Sequence, residues 1–383
     1  MSAASAVRVT RRAALGGAAL LLAGCSAMPW SGSRPKLPEA PQPTGRSTAR
    51  VVWSLRLAAA GSGFAPIVAG DSVYAAGADG TLARIDAASG RVRWQVQAAR
   101  RLSSGVGSDG ELAVVAGRDG NLIAVAAASG RPAWTAPLGA EAVTAPAVGL
   151  GRVVVRTSDN RVSAYDPASG QRRWSVSRQP SALVLRQTAG LALAPGLVHV
   201  GLPGGRLAAI GLEGGVQRWE GSVSNPRGAN EIERIADIVG SPVAAGRDVC
   251  AASYQGRVAC FEAATGRPLW ARDVAAVGGI EVDTRLVAVP DERGHVHAFS
   301  RSGASLWRQE ALARREPSAP VSVGAHLVLG DLQGQVYALS RDDGAIVARF
   351  PTDGTPVLAQ GVRFERLAIL QTSGGTLVAI EVD

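Results

Sequence analysis

The chain has 383 residues, of which 46% are hydrophobic and only 4% aromatic, with 47 glycines and 21 prolines. This composition suits many short, tightly packed strands and excludes a disordered chain. The formal charge of +9 falls to about +6 without the three arginines of the leader, and the remaining basic residues stand singly, which describes a solvated surface and not a nucleic-acid footprint.

The N-terminus reads as an export signal. Arg8, Arg11 and Arg12 precede an apolar stretch, 13–23, that is too short for a permanent bilayer span and closes on Leu22-Ala23-Gly24-Cys25. This tetrapeptide resembles the lipobox of bacterial lipoproteins. The resemblance implies removal of residues 1–24 and acylation of Cys25, an anchor without a transmembrane helix. Ser26, where inner-membrane retention would call for Asp, implies the periplasmic face of the outer membrane. Thr10-Arg11-Arg12 also resembles part of a twin-arginine signal, so the export route stays open. Residues 25–50 carry Pro29, Pro35, Pro38, Pro41 and Pro43 among Ser, Gly and Thr, and read as a semi-extended tether.

One pattern then repeats over 51–383. An apolar strand opens beside a proline, as in Ala65-Pro66-Ile67-Val68, Ala145-Pro146-Ala147-Val148, Ser241-Pro242-Val243 and Ala319-Pro320-Val321. A second strand (72–76), an Asp79-Gly80 hairpin turn and a third strand (81–86) follow, and a fourth carries a Trp four residues after a Gly, as in Gly90-Arg-Val-Arg-Trp94. Seven of the eight tryptophans, Trp53, Trp94, Trp134, Trp174, Trp219, Trp270 and Trp307, fall on this grid at steps of 41, 40, 40, 45, 51 and 37. A period near 40 built of short strands predicts a β-propeller, with each Trp packed between neighbouring blades. Turns near 79, 119, 159, 204, 255, 293, 333 and 374 count eight copies, or about 42 residues per blade. The seventh copy is degenerate, with Ala348 four residues after Gly344, and the eighth ends at Asp383 without a fourth strand. Arg50-Val-Val-Trp53-Ser-Leu55 supplies one, so the fold expected is all-β: an eight-bladed propeller of four-stranded antiparallel blades, closed by the N-terminal strand in the last blade.

Few residues offer chemistry. Gly105-Val-Gly107-Ser-Asp-Gly110 matches a dinucleotide fingerprint in letters but leads into Leu112-Ala-Val-Val115, a strand, where that site needs a helix. Cys250 and Cys260 flank Gln255-Gly256. A two-residue hairpin puts their thiols on opposite faces and predicts two buried free cysteines, and a bulge in the turn reverses this. His295 and His297 alternate on one strand without a carboxylate at ligand spacing, so a structural role is expected and no metal site. There is no G-x-S-x-G, C-x-x-C or Walker loop, and no catalytic residue or cofactor is assigned.

The pattern breaks at the two long intervals, which place extra residues in the connections around 175–188 and 220–238. Equivalent connections of adjacent blades emerge on one face and form one patch. The first contains Leu183-Val184-Leu185-Arg186. The second contains Asn230-Glu231-Ile232-Glu233-Arg234-Ile235-Ala236-Asp237-Ile238. Exposed Leu and Ile rimmed by charge describe a protein-binding surface, the alternative being that the loops fold back and bury these side chains.

Repeats of the form Ala-x-Asp-x-x-x-Gly-x-x-x-Trp resemble the docking motifs of pyrroloquinoline-quinone enzymes. Together with the lipobox, the tether, the eight blades and the two loops, they resemble the BamB family, the propeller lipoproteins of the outer-membrane β-barrel assembly (BAM) machinery, over essentially the whole chain. The resemblance implies a non-enzymatic scaffold that binds the periplasmic POTRA region of BamA and associates with other BAM subunits. Unfolded outer-membrane proteins would be further partners, as client strands added to blade edges. It places the contacts at Leu183, Leu185 and Arg186, and at Glu231, Glu233, Arg234 and Asp237. A second acid that family members often carry two residues later is Val239 here. Two other readings stand beside it: a periplasmic adaptor for another protein or a glycan, and a quinoprotein dehydrogenase relative, which would be longer and carry vicinal cysteines.

Overall fold

The computed structural model describes residues 37–44, 48–178, 189–225 and 235–383. Pro38–Asp383 forms one compact unit. The leader, Cys25 and most of the tether lie outside the described residues, as do Leu183, Leu185, Arg186, Glu231, Glu233 and Arg234.

Among the described residues the strands form eight four-stranded antiparallel sheets. Seven run in simple sequence order: blade 1 over 67–97, blade 2 over 102–137, blade 3 over 147–177, blade 4 over 191–222, blade 5 over 238–273, blade 6 over 281–309 and blade 7 over 321–351. Blade 8 takes three strands from 362–382 and its outermost from Ala49–Arg56, which pairs antiparallel with Thr376–Val382 from Ala49↔Val382 to Arg56↔Thr376. Thr48 accepts the Asp383 N–H at 2.9 Å, so the two ends of the propeller meet inside one blade and neither leaves an open sheet. Gly105–Gly110 starts in the innermost strand of blade 2, Leu102–Ser108, with Leu112–Gly117 next to it, so no helix N-terminus is there to hold a phosphate.

The core is divided into eight apolar clusters, one at each joint between blades. The repeat motif builds these joints. In Asp166-Pro-Ala-Ser-Gly170 the Asp166 carboxylate accepts the N–H groups of Ala168 and Ser169 at 3.0 Å, and the Gly170 N–H returns to the Asp166 carbonyl. A hydrogen bond from Arg173, then those from Ser169, hold that carboxyl at about 2. Gly170 sits at φ +69°, and a Cβ there would lie 2.6 Å from the Trp134 ring. The tryptophan of one blade therefore lies flat on the glycine turn of the next. Its indole N–H bonds a carbonyl in that turn: Trp53 to Ala87, Trp94 to Ala127, Trp134 to Pro167, Trp174 to Leu212, Trp219 to Ala263, Trp270 to Arg301 and Trp307 to Arg341, from 2.7 to 3.0 Å.

Ala348 in the seventh copy now has a physical reason. The turn a tryptophan would dock on joins the third and fourth strands of the next blade, and in blade 8 those strands are the two ends of the chain. With no turn to cover, the joint between blades 7 and 8 is filled by Ala348 and aliphatic residues such as Val336, Val357, Leu370 and Ile380. Residues 38–44, which the sequence gives to the tether, pack on the outer side of blade 7. Thr44 N–H bonds the Ile346 carbonyl at 2.8 Å, Arg349 bonds the Ala40 carbonyl, and Arg315 bonds the Pro38 carbonyl.

The hairpin turns correct one expectation. Ala76 pairs with Leu82 and the Gly77 N–H bonds the Thr81 carbonyl, so the loop Ala78-Asp79-Gly80 has three residues, with Gly80 at φ +104°. Likewise Ala251 pairs with Ala259 and Cys250 with Cys260, around a loop in which Gln255 adopts φ +46°. The extra residue shifts the register by one and puts both thiols on the same face, where they form a disulfide within the core between blades 5 and 6. The expectation of two free cysteines is therefore wrong.

Trp134→Ala is expected to destabilise the propeller by about 3–5 kcal/mol, and Gly170→Ala, which pushes a methyl into the same ring, to destabilise it as well. Chemical denaturation of both variants measures this. An unchanged midpoint for Trp134→Ala would contradict the joint described.

Candidate partner-binding face

The two connections that break the repeat leave and re-enter the propeller on either side of blade 4. The first runs from the outermost strand of blade 3, Arg172–Ser177, to the innermost of blade 4, Leu191–Ala194. The second runs from Gln217–Ser222 to the innermost strand of blade 5, Ile238–Ala245. Their feet are tied together at both ends. On the outer side Arg178 donates to Glu220 at 2.6 Å, and Glu220 also accepts from Arg206 at 2.9 Å. On the inner side the Gly190 N–H bonds the Gly240 carbonyl at 3.0 Å, and Ala189 packs with Ile238.

Each foot is fixed in the blades as well. Arg156 is buried, bonding the Ala189 carbonyl and the Asn160 side chain at 3.1 Å. Burial pulls its guanidinium below the ordinary value, and the charge of Asp237 opposes that shift. Asp237 is pinned from two neighbouring blades. Its carboxylate accepts the Gly204 N–H of blade 4 at 2.8 Å, and its carbonyl accepts the Tyr254 N–H of blade 5 at 2.8 Å. At 7% exposure Asp237 is a foot of the second connection. Val239 is buried in the core between blades 5 and 6. Burial pushes the Glu220 carboxyl up, but the hydrogen bonds and charges of Arg206 and Arg178 outweigh it and hold the group below its usual range.

The turn between the second and third strands of a blade opens on this same face, because it bonds the connection from the preceding blade: Arg118 N–H to the Arg101 carbonyl, Glu292 N–H to that of Ala275. In blade 6 this turn corrects the reading of His295 and His297, since a carboxylate does lie beside them. Asp291 Oδ2 is 2.9 Å from His297 Nε2 and 3.3 Å from His295 Nδ1. A register argument along one strand misses it because Asp291 enters from across the turn.

The cavity along the propeller axis, about 560 Å³, has the wrong lining for an anionic quinone. Its walls are small and apolar residues in and beside the innermost strands, Pro66, Pro146, Leu191 and Val357 among them, and among the described residues its one ionisable side chain is Glu316, an acid. Among the described residues no helix is long and apolar enough to cross a membrane.

A family model described as "Outer membrane protein assembly factor BamB" matches residues 44–100, 78–302 and 292–383. An outer membrane protein assembly factor BamB of Bordetella pertussis is 40% identical over 367 residues, covering 95% of each chain. Among solved structures, BamB from Moraxella catarrhalis superposes with a TM-score of 0.79 at 27% identity, over 87% of this chain and all of that one. A quinohemoprotein alcohol dehydrogenase from Comamonas testosteroni reaches 0.70 at 14% identity, over 87% of this chain and 76% of its own, a likeness of fold alone.

Glu220→Gln is expected to cost about 1 kcal/mol near neutral pH and less near pH 3. The folded state holds the Glu220 proton less tightly than the unfolded chain, whose ordinary value is 4.5. The contribution is therefore present above that value and lost as pH falls through the lower folded one. Thermal unfolding of both proteins across this range measures it. An equal deficit at both pH values would contradict the ion-pair account.

Proposed function

The chain belongs to the BamB family of outer membrane protein assembly factors, and on that premise we propose that its two connections beside blade 4 form the surface that docks on the periplasmic POTRA region of BamA. As a family member it serves the assembly of outer-membrane β-barrel proteins within the BAM complex, as a non-enzymatic assembly factor. The observation that supports the docking surface is the double tie between the connections, Arg178 to Glu220 and Gly190 to Gly240. Two insertions in adjacent blades, fastened to each other and to a rigid ring, present one surface with little ordering cost on binding. Leu183 and Leu185 supply apolar anchors, Arg186, Glu231, Glu233 and Arg234 the polar rim, and Asp237 holds the base of the second connection. Cys25 carries the lipid anchor that keeps the propeller at the periplasmic face of the outer membrane, with the residues up to 37 as tether.

Direct capture of client strands at blade edges is a weaker reading. The outermost strands carry Arg172 and Arg173 in blade 3 and begin with Pro132 in blade 2 and Pro268 in blade 5, residues that oppose strand addition.

Chain 26–383, which contains the whole closed ring, is expected to retain the periplasmic region of BamA from the same organism in a pull-down. The Leu183→Ala, Leu185→Ala, Arg186→Ala triple variant should lose it while keeping its circular dichroism and melting temperature. Absence of binding by the wild type, or full binding by the folded variant, would overturn the proposed surface.

A further inference from the structure

We propose that Asp291, His295 and His297 in the turn of blade 6 form a binding site for a divalent transition-metal ion of the zinc class. The three ligand atoms lie within 4.8 Å of one another, and the side chains are 11%, 17% and 18% exposed, so they are largely desolvated and still reachable. The turn holds them ready. Asp291 Oδ1 accepts the backbone N–H groups of Arg293 at 2.9 Å and His295 at 2.8 Å, which leaves Oδ2 directed at both imidazoles. The His297 ring is stacked parallel to Phe299. Two nitrogens and one carboxylate oxygen converging in this way are a zinc-type donor set, with at least one position left for water.

Comparison with blade 7 separates this arrangement from an ordinary turn. Asp331 stands at the equivalent place, its Oδ1 bonding the N–H groups of Gln333 and Gln335 as Asp291 bonds those of Arg293 and His295. There Oδ2 meets Arg315 at 2.7 Å and the Tyr337 hydroxyl at 2.9 Å, so its charge is neutralised by a guanidinium. Among the described residues Asp291 pairs with no Arg or Lys, and the positions of Gln335 and Tyr337 are taken by the two histidines. A largely buried carboxylate that faces two imidazoles and no guanidinium presents the donors a divalent cation needs. Bound metal would staple the turn to the third strand of blade 6, on the face where the connections emerge.

The test uses untagged chain 26–383, freed of metal with a chelator and titrated with Zn²⁺ in a calorimeter. One ion per chain is expected to bind, and the melting temperature to rise with Zn²⁺ concentration. Co²⁺ in place of zinc should give the visible absorption of a low-coordinate nitrogen–oxygen site. His295→Gln and His297→Gln, each checked for an unchanged fold, should each weaken Zn²⁺ binding tenfold or more. No zinc-dependent heat or thermal shift in the wild type would overturn the site, as would undiminished binding in the folded variants.

Discussion

The indole N–H of a tryptophan, donated to a carbonyl in the next blade, is the contact on which this structure depends. It requires a ring wide enough to cross a joint, a turn whose carbonyl faces backward, and a glycine with no Cβ under the ring. Those three demands are the repeat motif. Each bond contributes on the order of 1 kcal/mol, and burial of the ring contributes more. Seven joints carry it, and the eighth cannot, because the ends of the chain meet where the turn would be. Closure there falls to strand pairing between residues more than three hundred positions apart, supported by Arg50 on Glu381 and by the segment 38–44 along blade 7. Contacts of that sequence separation form late in folding, which makes the last joint the one most exposed to failure.

A ring built this way leaves function to whatever the repeat does not specify. The blades are held on both sides, so an insertion inherits a rigid base. At blade 4 two insertions share such a base, and charged groups secure it: buried Arg156 beneath the first, buried Asp237 beneath the second, half-buried Glu220 between the outer feet. A binding surface of this kind needs no moving part, which fits a scaffold in an assembly machine better than a catalyst.

Most of the architecture was legible in the sequence because tryptophan and glycine spacing reports a joint directly. The number of blades, their four strands, the closure by the N-terminal strand and the anomaly at Ala348 all follow from that spacing. What was not legible turned on single residues in turns. A three-residue loop in place of a two-residue one brought Cys250 onto Cys260, and a carboxylate from across a turn met His295 and His297. Periodicity along a strand carries no information about either. The tether was read from its prolines, yet Pro38 and Ala40 offer their carbonyls to Arg315 and Arg349, partners far away in sequence. The two connections were located by the lengthening of the interval between tryptophans, since an insertion delays the next repeat without disturbing it.

The central claim is that the face beside blade 4 receives the partner. Hydrogen–deuterium exchange of chain 26–383, alone and with the periplasmic region of BamA, measures it most directly. The account requires slowed exchange on complex formation in the segments 178–190 and 225–240, with the outer strands of blades 1 and 8 unchanged. Protection confined to other blades, or to the opposite face of the ring, would contradict it.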